Sequence, residues 1–166
     1  SATGNNGRGG GLRCTTNSDP ILVNVLISDN TATQEGGGVF CYNSDPSFVN
    51  VTISGNVSAI ADGSGLYIKN SSSVNLLNTI IGSNEPNEIE FSSVDDPSTI
   101  TILYSNIAGG QDSILTNDNG TVSWGDGSLG TDPHFVNPDS SNYHLLANSL
   151  CINGGHPDSL DSDGSV

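Results

Sequence analysis

The sequence predicts an all-β fold, a single parallel β-solenoid, on three observations: its composition, a repeat of 26 to 28 residues, and short apolar bursts with strand alternation. Of 166 residues, 25 are Ser, 21 Gly, 20 Asn and 12 Thr, while Glu numbers 4 and Met is absent. Helix-favouring residues are too scarce for a bundle. Ile, Leu, Val and Phe occupy 41 positions. That is about a quarter of the chain, above the roughly 20% below which charged chains stay disordered. Strands joined by many turns are the remaining solution.

The repeat fixes the elements in order. Gly10-Gly11-Leu12-Arg13-Cys14 recurs as Gly37-Gly38-Val39-Phe40-Cys41 and as Ser64-Gly65-Leu66-Tyr67-Ile68. Each copy runs into a turn: Asn17-Ser18-Asp19-Pro20, Asn43-Ser44-Asp45-Pro46 and Asn70-Ser71-Ser72-Ser73. A second strand follows each turn, in Asn24–Asn30, Asn50–Asn56 and Asn78–Asn84. A strand alternates faces with period two. The first strands therefore stack inward columns Leu12, Val39, Leu66 and Cys14, Cys41, Ile68. For the second strands, unbroken alternation predicts Val23, Val49, Leu77; Val25, Val51, Thr79; and Ile27, Ile53, Ile81. One coil cannot bury these residues, but stacked coils can. Asn30, Asn56 and Asn84 are expected to tolerate positive φ at strand ends and to exchange amide hydrogen bonds between rungs. One domain over 1–166 is expected, with regular coils over 1–107 and irregular coils plus a closing segment over 108–166.

These motifs resemble the right-handed parallel β-helix repeat proteins of the pectin-lyase-like superfamily, in their secreted bacterial branch. Asn78–Ile81, Glu88–Phe91 and Ile100–Ile107 are similar to that branch's last coils. Asp132–Pro138, Tyr143–Leu145 and Leu150–Gly155 are similar to its closing passage. The resemblance implies a right-handed helix in an extracellular or cell-surface setting; it specifies the fold more sharply than an activity.

Eighteen acidic residues against three basic ones give a formal charge of −15. Nucleic acid, which demands Lys and Arg, is a poor partner. No stretch approaches the ~20 apolar residues of a membrane span. Three Cys are too few for a disulfide scaffold. Cys14 and Cys41 share an inward column on adjacent coils, close enough for a disulfide. Parallel in-register side chains are poorly aimed for that bond, so buried free thiols are the favoured state.

Lyases on this fold remove a sugar proton with a basic residue, and its hydrolases set two carboxyl groups about a bond. Here Arg8, Arg13 and Lys69 are expected to lie far apart along the solenoid, and the first strands are read as carrying no carboxylate. Asp19, Asp45 and Asp62 stand in turns, and Asp95-Asp96-Pro97 reads as a solvated loop. No catalytic residue is assigned, and no cofactor is required. Asp158, Asp161 and Asp163 loosely resemble a Ca²⁺ loop without its full ligand run. His134, His144 and His156 have no ligand spacing. Arg13, Phe40, Tyr42, Tyr67 and Lys69 form an outward aromatic and basic patch, read either as a contact surface for sugar or a neighbouring fibre, or as cross-strand packing. Asn50, Asn56, Asn70 and Asn119 each begin a glycosylation sequon.

The chain is therefore expected to be a non-catalytic structural or adhesive module that self-associates through open coil ends. The rival expectation is a carbohydrate-active or carbohydrate-binding domain whose partner is a polysaccharide.

Overall fold

The protein is described by a computed structural model covering residues 1–3, 7–60 and 62–158. Parallel sheets stack into a β-solenoid of about four turns, with a spacing of roughly 26 residues. The first sheet contains Leu12–Thr15, Val39–Tyr42, Leu66–Lys69 and Ile89–Phe91. The second contains Ile21–Val23, Ser47–Val49, Ser73–Leu77, Ser98–Leu103 and Gly120–Trp124. The third contains Leu26–Ser28, Thr52–Ser54, Ile80–Gly82 and Asn106–Ile107. All pairings within these three sheets are parallel. Among the described residues, no helix is long and apolar enough to cross a membrane.

The first-sheet columns are those expected. Leu12 pairs with Val39, Val39 with Leu66 and Leu66 with Ile89; beside them run Cys14, Cys41, Ile68 and Phe91. Val39, Cys41, Leu66, Ile68, Ile89 and Phe91 are fully buried. This ladder hides aliphatic surface that one coil would leave wet.

The second-sheet column differs by one residue. Leu22, Phe48, Leu76 and Ile102 form the inward ladder, with Phe48, Leu76 and Ile102 buried. Val23, Val49, Leu77 and Leu103 form the adjacent ladder and point outward; Val23 is 52% exposed. The cause is a corner. Asn24, Asn50 and Asn78 have φ of 56°, 54° and 50°, the left-handed conformation that Asn tolerates best among side-chain-bearing residues. The corner divides each supposed second strand in two and resets its alternation. Val51, Ile53, Thr79 and Ile81 beyond it are buried as expected.

The Asn ladder exists, but without left-handed Asn at its rungs. Positive φ falls one residue earlier, at Asp29, Gly55 and Ser83. The amide of Asn30 donates to Asn56 Oδ1 at 3.1 Å, and that of Asn56 to Asn84 Oδ1 at 2.9 Å. Asn84 Nδ2 in turn donates to the Glu88 carboxylate, which ends the ladder. Burial pushes the Glu88 carboxyl above its usual range, against the Asn84 donors that lower it.

After Asn106–Ile107 the chain makes one further passage through Gly120–Trp124 and then turns back along the outside of the third sheet. Phe135–Asn137 and Asn142–Leu145 pair antiparallel in this return segment. Tyr143 Oη donates to Asp29 Oδ1 at 2.7 Å, and the His156 amide donates to Asn78 Oδ1 at 2.7 Å. The outer face of the third sheet is thus strapped by its own chain.

Candidate functional site

The first sheet's outer face carries the expected column of Arg13, Phe40 and Tyr67, with an ionic layer over it that local sequence reading did not reveal. Its outward ladder is Arg13, Phe40, Tyr67 and Glu90 in register. Phe40 and Tyr67 stack with ring centroids 6.2 Å apart and planes 13° apart. They are only 2% and 6% exposed, so neither ring is an open sugar platform. Arg8 and Arg13 lie over the Phe40 ring at 5.8 and 5.6 Å, and Lys69 over the Tyr67 ring at 5.8 Å. Such cations gain energy from the negative ring face. Turns at Gly36 and Gly63, with φ of 68° and 51°, close over the two rings; a side chain at either glycine would strike Phe40 or Tyr67.

All three basic residues of the chain therefore converge, which corrects the expectation that they lie far apart along the solenoid: stacking brings distant sequence positions onto one face. With Thr15, Thr16, Phe40 and Tyr42 they line a groove of about 410 Å³. The signal was present in the repeat: Arg8, Glu35 and Asp62 stand 27 residues apart, on the turn preceding each first strand. The backbone confirms this stacking, since Gly9 N donates to Glu35 O and Gly36 N to Asp62 O, both at 3.1 Å.

Carboxylates hold the cations. Arg8 Nε pairs with Glu35 Oε2, and Lys69 Nζ lies 3.4 Å from Glu35 Oε1 and 3.1 Å from Asp95 Oδ2. The Ser92 hydroxyl donates to Asp95 at 2.7 Å and, with Lys69, holds that carboxyl below its usual range. Glu90 stands on the fourth first-sheet strand, which corrects the reading that these strands lack carboxylates. It accepts from Gly63 N at 2.8 Å, Asn87 Nδ2 at 3.0 Å and Asn117 Nδ2 at 3.1 Å. Burial, then Glu90 and Glu35, raise the Asp62 carboxyl, and burial pushes the Tyr67 phenol up to about 12. Arg13 is exposed and makes no ion pair among the described residues. The free cation of the groove is Arg13, and its open ring is Tyr42, 37% exposed.

The other expected positions are dispersed. Cys14 and Cys41 pair in register as buried free thiols. Their mutual hydrogen bond lowers Cys14 and raises Cys41, which burial raises further. Asp158 is highly exposed beside His156, at 4.0 Å, while Asp161 and Asp163 lie outside the described residues. Among the described residues, no three or more His, Cys, Asp or Glu gather as a metal site. Of the sequons, Asn50 is exposed and Asn70 is half-buried. Asn119 donates to Ser92 O and Asp95 O at 2.8 and 2.7 Å. Asn56 is 0% exposed inside the ladder, so the folded chain cannot present it to a glycosylating enzyme.

The chain matches no family model, no curated protein and no solved structure.

Proposed function

We propose that this chain is a non-catalytic adhesive module of a cell surface or extracellular matrix, holding an acidic glycan in the groove of the first sheet. One observation carries the reading: in a chain of net charge −15, all three basic side chains converge on one groove. Glu35 and Asp95 fix Arg8 and Lys69 in place. Arg13 then offers a guanidinium to a sugar carboxylate, and Tyr42 offers an open ring face to the sugar. The Glu90 carboxylate is occupied by three donors and the Asp95 carboxylate by two partners, an arrangement suited to support rather than proton transfer. The resemblance to pectin-lyase-like repeats agrees with a glycan partner.

Calorimetry with oligouronates tests this. Binding that weakens with salt and is lost in Arg13→Ala is the expected result. No binding across acidic glycans would overturn it, and release of new chain ends would replace adhesion with catalysis.

A second reading, stacking of coils into a fibre, is favoured by the Leu12 coil. There Leu12, Leu22 and Val25 are half-buried, whereas Val39, Phe48 and Val51 above them are buried. A further coil, of this chain or another, would complete their burial. Electron microscopy of purified protein tests it, and uniform unstacked particles would remove it.

A further inference from the structure

The corner between the second and third sheets carries a cavity of about 370 Å³ that shares no lining residue with the first-sheet groove. Its floor is the corner column Asn50, Asn78 and Tyr104 together with Ile80 and Asn106 of the third sheet; its roof is the return segment from Cys151 to His156. The column changes character at its last step. Asn24, Asn50 and Asn78 turn the first three coils, but the fourth turns at Tyr104, with φ of 48°. A bulky aromatic in the left-handed region is a genuine outlier, and such strain clusters at ligand sites. The ring is also fixed in place. His156 meets it edge-on with centroids 4.6 Å apart, and the backbone at Gly127 lies so close that a side chain there would strike it. Roof and floor are tied by the His156 amide, which donates to Asn78 Oδ1 at 2.7 Å.

The lining matches a sugar in both its polar and its apolar groups. Asn50 and Asn153 are exposed, and each amide side chain presents both donors and an acceptor. Asp158 N donates to His156 Nδ1 at 3.1 Å, which leaves the proton of the neutral ring on Nε2 as a donor. The half-buried Tyr104 phenol both donates and accepts. Beside these groups, Ile80, Leu129 and Ile152 give the wall apolar surface. A sugar ring carries the same mixture, with hydroxyls that donate and accept at once on a frame of C–H groups that packs against aliphatic and aromatic side chains. Charge narrows the class. Among the described residues no Asp, Glu, Lys or Arg lines the cavity, so an ion would lose its water there without gaining a partner. Asp158, 4.0 Å from His156, borders it, and the net charge of −15 repels uronates. The volume stands at the low end of the ~300–1,000 Å³ range of small-molecule sites, which suits one ring better than a chain. We infer that this cavity is a second binding site, for a single neutral sugar residue, either free or at the end of a glycan.

The site stands apart from the acidic-glycan groove and is tested apart from it. Saturation-transfer NMR of the full chain uses the methyl glycosides of glucose, galactose, mannose and N-acetylglucosamine. At least one is expected to bind with Kd on the order of 1 mM, equally at low and high NaCl. Tyr104→Asn gives the fourth coil the corner residue of the other three, so circular dichroism is expected to show the fold retained while binding weakens tenfold or more. Asn153→Gly removes an amide at a φ of 58°, which glycine adopts freely, and weakens binding several-fold. Arg13→Ala leaves it unchanged. A glycan ending in the preferred sugar that binds tighter than the glycoside assigns the site to chain ends, and equal affinity assigns it to the free sugar. The inference is overturned if the folded protein binds none of these glycosides at about 10 mM, or if both cavity variants bind as the parent does. Binding abolished by salt or by Arg13→Ala would return the sugar to the first-sheet groove, and a preference for choline or uridine over every sugar would reassign the cavity; either result likewise overturns it.

Discussion

Asn56→Ala probes what holds one coil to the next. The Asn56 side chain is fully buried and makes five hydrogen bonds. Its Oδ1 accepts from the Asn30 amide at 3.0 Å and from Asn30 Nδ2 at 3.1 Å, while Nδ2 donates to Ile27 O, Ser54 O and Asn84 Oδ1. Two acceptors keep another donor after truncation, since Ser54 O still accepts from Asp29 N and Asn84 Oδ1 from Asn56 N. The Asn30 N–H loses its acceptor, and an orphaned donor costs about 1–3 kcal/mol. Adding the four remaining lost bonds at the low end of about 0.5 kcal/mol each brings the total to about 3–5 kcal/mol. The same change at Asn30, on the half-exposed outer rung, removes two amide bonds and costs about 1 kcal/mol. Urea denaturation followed by circular dichroism measures both. For m-values of about 1–3 kcal/mol/M, Asn56→Ala lowers the midpoint by roughly 1 to 2 M or more at unchanged m. If Asn56→Ala costs no more than Asn30→Ala, the ladder is not what joins the rungs.

Three further outcomes follow from the same geometry. Leu76→Lys buries a charge among apolar residues and is expected to cost more than about 4 kcal/mol or prevent folding, whereas neighbouring Leu77→Lys stays within about 1 kcal/mol; comparable losses in thermal melts would refute the one-residue shift of the column. Glu88 has a folded pKa raised by burial above its reference of 4.5, so the folded state holds its proton longer than the unfolded chain. Its contribution to stability is full below that reference value and is lost as pH rises through the folded value, so Glu88→Gln flattens the pH dependence of stability in that window; an unchanged slope in pH-dependent melts would contradict the burial argument. In thiol titration, half-buried Cys151 reacts first, while buried Cys14 and Cys41 react only on unfolding; early modification of Cys41 would show that the Leu12 end opens in the native state.

The solenoid itself was readable from local pattern, because a coil that cannot bury its own apolar residues must repeat them at the spacing of its neighbours. Leu12, Val39 and Leu66, and the amide column Asn30, Asn56 and Asn84, follow from that rule. Three-dimensional placement decided the rest. The inward residue of the second sheet depended on a corner at Asn24, Asn50 and Asn78, where one left-handed residue reverses every side chain before it relative to those after it. That recurrent Asn was visible in the repeat, but alternation says nothing about where a strand bends. The ionic layer of Arg8, Glu35, Lys69 and Asp95 was hidden for another reason. Its members come from different positions in different coils and meet diagonally across rungs, and a one-dimensional spacing carries no diagonal. Burial of Asn56 and the exposure of Ile21 and Val23 are likewise properties of what packs, among the described residues, against a surface from far along the chain.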